Sequence, residues 1–137
     1  MNRKEFFENV DYRGKESLSG PGSEGEFGRN KQKVIKEIIK TYRTKSFIDI
    51  GCGDLFWMNR VIQPDMSYHG IDISEKIIKN NENFSRPGVT FECLDVVNRK
   101  EWKNLTKRSA DLAICLEVDI HLLRAEIPAL LDFLFRE

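Results

Sequence analysis

Apolar and polar positions change their period several times along the chain, and each change marks an element. From Asn30, Val34, Ile35, Ile38, Ile39 and Tyr42 recur at helical spacing with Lys33, Lys36 and Lys40 interleaved, which predicts an amphipathic helix against a core. Two short apolar runs follow, SFIDIG (46–51) and YHGIDIS (68–74), both of the kind expected for buried strands. Ser74 is then placed to cap a helix carrying Ile77, Ile78 and Phe84, which Arg86-Pro87-Gly88 stops. VTFECLDV (89–96) reads as a third strand, NRKEWKNLTKR (98–108) as a short surface helix with Trp102 and Leu105 three apart, and DLAICLEV (111–118) as a fourth strand. The last segment, HLLRAEIPALLDFLFRE, has a helical pattern with Pro128 best placed in a first turn, where its missing N–H costs nothing. Alternating strands and helices call for a parallel sheet with crossover connections. No internal repeat is visible.

Before Asn30 the chain is polar, and GKESLSGPGSEGEFG (14–28) has the composition of a loop or flexible arm. With 137 residues, one domain is the expectation. Lys plus Arg and Asp plus Glu each number 22, so no basic excess points to nucleic acid. MNRKEFFENVDYRGK lacks the apolar stretch of a signal peptide, and no later run approaches the roughly 18 residues of a membrane span, so a soluble, cytoplasmic protein is expected. Cys52, Cys93 and Cys115 are widely spaced and the two histidines add little ligand density, which predicts neither a disulfide framework nor a metal site.

In a sheet of this kind ligands sit beyond the carboxyl ends of the strands, where strand order reverses. The chemistry-bearing residues fall at such ends: DIGCGD after the first strand, Asp72 at the second, Asp95 at the third and Glu117 past the fourth. Gly51 and Gly53 permit a sharp turn that brings backbone close to a ligand, and Asp72 lies where a carboxylate would accept ribose hydroxyls. A dinucleotide turn would need a third glycine where this chain has Phe56 followed by Trp57, which disfavours a nicotinamide-dependent oxidoreductase. Asp49 and Asp54 flank the two glycines; they would repel phosphates and suit a ligand bearing an ammonium or sulfonium group.

These motifs, in this order, resemble the class I S-adenosylmethionine-dependent methyltransferases, over Gly20 to about Phe135. The resemblance implies an α/β, Rossmann-like three-layer sandwich. Its roles fall on FIDIGCGD, where the backbone around Gly51, Cys52 and Gly53 would approach the methionine part, with Asp49 near its amino group and Asp54 closing the turn. GIDIS would give Asp72 to the ribose and Ile73 to the adenine. LDVV would set Asp95 toward the adenine amino group and Val96 on the ring, and Glu117 through His121 would border the cofactor and the acceptor. Leu55-Phe56-Trp57 should begin a packed helix, and LFWM resembles a variant of the first motif. Residues 1–29 would form a flexible arm or cofactor lid, and 30–137 the cofactor-binding domain.

Family members carry a sheet ordered 3-2-1-4-5-7-6, whereas this chain supplies the motifs for a mainly parallel 3-2-1-4 sheet without strands 5-7-6. The fourth strand is then an exposed edge, with three expected outcomes: a piece of a longer product, a homodimer across that edge, or a binding module that has lost catalysis. The leading expectation is methyl transfer to a small-molecule or saccharide acceptor by direct displacement. The alternative is a catalytically inactive S-adenosylmethionine-binding or interaction module. No catalytic residue is identified; Glu117 and His121 are weak candidates. Trp57, Met58, Trp102, Cys52 and Cys93 read as packing residues.

Overall fold

The computed structural model describes residues 2–9, 16–105 and 109–135. Four short strands, β1 (Ser46–Ile50), β2 (Ser67–Asp72), β3 (Val89–Cys93) and β4 (Leu112–Cys115), pair in the order β3-β2-β1-β4 with every pair parallel. The chain therefore leaves β1 toward β2 and β3 on one side and returns to β4 on the other. The reversal point lies between β1 and β4. All four carboxyl ends project to one rim of the sheet, as the expected 3-2-1-4 topology requires.

Two apolar layers flank the sheet. On one face Phe47, Tyr68 and Phe91 stack edge to face across neighbouring strands, with ring centroids 5.0 and 6.0 Å apart, beneath helix α2 (Gly25–Tyr42) and helix α3 (Glu75–Asn81). On the other face Ile48, Ile50 and Ile71 meet Leu94, Val96, Leu105 and helix α4 (Ile127–Phe135), which contributes Leu130 and Phe133. Alternation along each strand sorts these sets, since successive side chains point to opposite faces. Pro128 falls in the first turn of α4, as expected. Ser74 caps α3 by accepting from the Ile77 N–H; the helix ends at Asn81 and a 3-10 turn, Glu82–Phe84, follows.

Several local expectations change: β3 stops at Cys93 and β4 at Cys115, short of the expected 96 and 118, and three helices differ. Helix α2 starts at Gly25 rather than Asn30, so four residues of the segment expected as loop are helical; residues 14 and 15 lie outside the described residues. Its buried line is Ile35 and Ile39, while Val34 and Tyr42 are exposed, because a residue a quarter-turn from the contact line reaches past a narrow four-stranded sheet. The helix expected from Leu55 is replaced by turns and a single 3-10 turn, Met58–Arg60. Leu55 sits at φ 58°, which stops a right-handed helix at its first residue. Leu55, Met58, Val61 and Ile62 are nevertheless buried, so the segment packs as a helix would without forming one. Of the helix expected at 98–108 the described part is a 3-10 turn, Trp102–Asn104, and residues 106–108 lie outside the described residues.

A short N-terminal helix, α1 (Arg3–Asn9), lies across the strand-end rim. Strand β4 terminates the sheet, and beside it Ile120, Leu123 and Phe135 are exposed. No described helix is long and apolar enough to cross a membrane, and no described cluster of three or more His, Cys, Asp or Glu side chains is arranged to hold a metal.

Candidate functional site

The carboxyl ends of the strands open into one cleft of about 570 Å³. Every residue expected at a ligand site lines it: Asp49, Gly51, Cys52, Gly53 and Asp54 from the turn after β1, Asp72 and Ile73 after β2, Asp95 and Val96 after β3, and Glu117 with His121 after β4. Residues spread over 73 positions of sequence converge because parallel strands all deliver their ends to the same rim.

The glycine turn is built to need its glycines. Gly51 and Gly53 have φ of 72° and 57°; a Cβ on Gly51 would stand 2.4 Å from Val118 Cγ2, and one on Gly53 would stand 2.0 Å from Ser19 Oγ. The turn thus touches both the segment after β4 and the N-terminal segment. Gly51 N–H and Cys52 N–H both donate to the Ile71 carbonyl, and Asn81, fully buried, donates from Nδ2 to the Gly53 carbonyl at 2.7 Å. Asp72 completes the hold. Its Oδ2 accepts from Gly53 N–H at 3.0 Å and its Oδ1 from Ser74 N–H at 2.9 Å. Burial raises the Asp72 pKa and the backbone donors from Ser74 and Gly53 oppose the rise. Each carboxylate oxygen keeps a second acceptor direction, enough for two vicinal hydroxyls.

Asp49 is a strongly perturbed acid. It is 5% exposed, and burial pushes its pKa up to about 7 against the hydrogen bond donated by Tyr68 Oη at 2.8 Å, with Asp72 adding repulsion and Lys31 opposing it. Across the β1–β4 boundary, Glu117 adopts φ 61° and accepts from Lys31 Nζ at 2.6 Å. The neighbouring thiols are not nucleophiles in waiting: burial holds Cys52 well above its ordinary pKa and pushes Cys115 up to about 11.

The N-terminal segment closes the top of the cleft. Asp54 accepts from Ser17 Oγ, Ser19 Oγ and the Leu18 N–H at 2.7 to 3.0 Å, and the Asp54 N–H donates back to Ser19 Oγ. Helix α1 bridges both walls. Arg3 forks onto Asp95 at 2.9 and 3.0 Å and onto Glu126 at 2.7 Å; Lys4 pairs with Glu75; Glu8 accepts from the Glu75 N–H at the start of α3; and Phe7 meets His121 edge to face at 5.0 Å. Burial works against the Arg3 charge, but Asp95 and Glu126 outweigh it and hold its pKa above the ordinary value.

No protein-family model matches the chain, and no curated protein matches it in sequence. Solved structures do. The N-methyltransferase NodS from Bradyrhizobium japonicum WM9, in complex with S-adenosyl-L-homocysteine, aligns at a TM-score of 0.73 and 14% identity over 98% of this chain and 66% of NodS. Magnesium protoporphyrin IX methyltransferase (ChlM) from Synechocystis PCC 6803, with bound S-adenosylmethionine, aligns at 0.64 and 19% identity over 98% of this chain and 71% of its own. The methyltransferase domain of bacterial CtHen1-CN aligns at 0.67 and 18% identity over 80% and 60%.

This chain has the class I methyltransferase fold.

It spans between 60% and 71% of the length of these three neighbours. Within the methyltransferase fold, several residues that shape the cleft carried no readable signal. Asn81 looks like any polar helix residue, and Tyr68 like any strand aromatic. Arg3, Phe7 and Ser19 lie in a segment without apolar period. One signal was legible: the serines and glycines of SLSGPGSEG mark a segment that can turn tightly against another backbone, and Ser17 through Ser19 do so at Asp54.

Proposed function

We propose that the cleft binds S-adenosylmethionine and that the chain serves methyl transfer to a small-molecule or saccharide acceptor. The observation that carries this reading is the convergence of the glycine turn with Asp72, Asp95 and Val96 on one cleft at the reversal point of the sheet. The donor set suits such a ligand. Asp72 retains two acceptor directions for the ribose hydroxyls, and Asp95, after Arg3 and the Val97 N–H are counted, retains one for an exocyclic amine. Ile73 and Val96 offer apolar flanks for a purine, and the acids at Asp49, Asp54 and Glu117 favour a cationic ligand over a pyrophosphate.

When bound, S-adenosylmethionine supplies a methyl group on a sulfonium that an acceptor displaces in line. The chain's part is orientation: Asp72 and the Gly51–Gly53 backbone fix the ligand, while residues 117–122 border the space an acceptor would enter. Glu117 and His121 are the candidates for taking a proton where the acceptor requires it. Residues 2–9 and 16–24 act as a lid, a reading supported by their bonds to Asp54, Asp95 and Glu75, which span the cleft from wall to wall.

A second reading, a binding module without turnover, is favoured by exposed Ile120 and Leu123 beside the acceptor end. Calorimetric titration with S-adenosylmethionine, S-adenosylhomocysteine and NAD tests the shared premise. Binding of the first two, weakened at least about tenfold by Asp72→Ala, is expected; a wild-type protein that binds neither, or prefers NAD, overturns it. An acceptor panel then separates enzyme from module.

A further inference from the structure

Asn81 is the last residue of α3 and is wholly buried, yet it does not line the cleft. Its Nδ2 donates to the Gly53 carbonyl at 2.7 Å and stands 3.8 Å from Cys52 Sγ. Its Oδ1 is buried with no hydrogen-bond partner among the described residues. The amide cannot turn over to relieve that acceptor, because the carbonyl opposite can only accept. A buried amide whose donor is used and whose acceptor is idle adds little net stability, since the idle group keeps its desolvation cost. Stability alone therefore does not account for an asparagine beside Cys52, a member of the apolar core.

The carbonyl that Asn81 holds belongs to the peptide between Gly53 and Asp54, and the other end of that peptide is held too: the Asp54 N–H donates to Ser19 Oγ at 2.9 Å. One peptide thus bridges α3 and the N-terminal segment. Gly53 sits at φ 57° with no side chain, so the peptide after it can turn over unless its two ends are fixed. Both partners demand the same orientation. Ser19 Oγ already spends its proton on Asp54 Oδ1 at 3.0 Å, so it can only accept from the peptide, and Asn81 Nδ2 can only donate to it. The preceding peptide is fixed separately, by the Gly53 N–H on Asp72 Oδ2, and Asp72 Oδ1 accepts in turn from the Ser74 N–H. Helix α3 is therefore tied to the glycine turn at both of its ends.

Resting on the proposed cofactor reading, we infer that Asn81 is a positioning residue for the ligand. By holding the Gly53 carbonyl it fixes the Gly53–Asp54 peptide with its N–H toward Ser19, and so joins the glycine turn to the segment that closes the cleft. It acts through that peptide. Its effect falls on every ligand the turn meets, whatever charge the ligand's tail carries.

The test reads the peptide first, in the ligand-free full chain. In Asn81→Leu, exchange of the Asp54 amide should quicken at least about tenfold, while the Gly51 and Cys52 amides, bonded to the Ile71 carbonyl, keep their protection. Calorimetry should then show N81L and Ser19→Ala each weakening S-adenosylhomocysteine and 5′-methylthioadenosine alike, about 3- to 10-fold. Because both variants release one peptide, the double variant should bind no more than about twofold less tightly than the weaker single variant. Urea unfolding reports whether N81L folds; where it does not, Asn81→Ser, which withdraws the amide donor without adding an apolar side chain, is read the same way. Unchanged Asp54 exchange, or equal acceleration of all three amides, overturns the inference, and so does a double variant whose losses multiply. A wild type that binds neither ligand overturns the cofactor reading and with it the role toward a ligand, and the exchange result separates that outcome from failure of the Asn81 hold.

Discussion

Replacing Asp49 by Asn should remove a pH dependence from the stability of the whole fold. In the native chain this carboxyl lies under α2, accepts a hydrogen bond from Tyr68 Oη at 2.8 Å, and is pushed up to about 7 by burial; in the unfolded chain it returns to about 3.8. Between those values the folded state holds a proton that the unfolded state has released. Stability conferred by this group is therefore greatest at low pH, falls as pH rises toward 7, and is flat above it. At pH 5 the native carboxyl is two pH units below its midpoint, and at about 1.4 kcal/mol for each unit the wild type should be roughly 2 to 3 kcal/mol more stable than at pH 8.5 on this account.

Asn keeps an oxygen for Tyr68 and cannot titrate. Urea unfolding of wild type and D49N at pH 5 and 8.5 isolates the effect, because titrations elsewhere occur in both proteins and cancel in the difference. The expected outcome is a variant less stable than wild type at pH 5 relative to its standing at pH 8.5, by that same 2 to 3 kcal/mol. Parallel pH profiles, within about 0.5 kcal/mol, would refute the claim that burial governs this acid.

Gly51→Ala should cost about 2 to 3 kcal/mol in urea unfolding, since it combines a left-handed backbone with a Cβ 2.4 Å from Val118 Cγ2; adding Val118→Ala should return about 1 kcal/mol, and strict additivity of the two would show that the contact is not responsible. Arg3→Ala should free α1, raising amide exchange over residues 3–9 with little change in global stability, and, if the segment acts as the proposed lid, weaken S-adenosylhomocysteine several-fold; unchanged exchange would show that the Asp95 and Glu126 bonds do not hold α1.

The sheet was legible because its information is local and redundant. Each strand is an apolar run ending at a glycine or acid, and once four such runs alternate with helical periods the parallel arrangement is nearly forced. The family resemblance, carried by four motifs in order, supplied the 3-2-1-4 order. The site acids were legible for the same reason, since each sits at a strand end. What the sequence concealed depends on contacts between distant segments. Leu55 looked like the first residue of a helix; its left-handed backbone follows from how the turn leaves β1 for the core, and no propensity announces it. Likewise nothing in the stretch RKEFFE announces that Arg3 and Lys4 meet Asp95, Glu126 and Glu75, which come from distant segments.

The two ends of the cleft differ in how finished they are, and that difference assigns them different work. Asp72 accepts from the Gly53 and Ser74 backbone N–H groups, so its position is fixed with no ligand to organise it, and on the proposed reading part of the cost of orienting a ribose would already be met in the fold. Asp54 is likewise committed, to Leu18 and Ser19 of the N-terminal segment. At the β1–β4 boundary the acids are less saturated: among the described side chains Asp49 accepts a hydrogen bond from Tyr68, and Glu117 is half-exposed and accepts one from Lys31. A ligand ammonium arriving there would favour the charged form of Asp49 and so draw a proton from it near neutral pH, which makes affinity for that ligand rise with pH until the carboxyl is fully ionised. A ligand without the ammonium has no such linkage. On the proposed cofactor reading, the β2–β3 end would recognise a nucleoside through a preset carboxylate, whereas the β1–β4 end would discriminate among nucleosides by the charges on their tails.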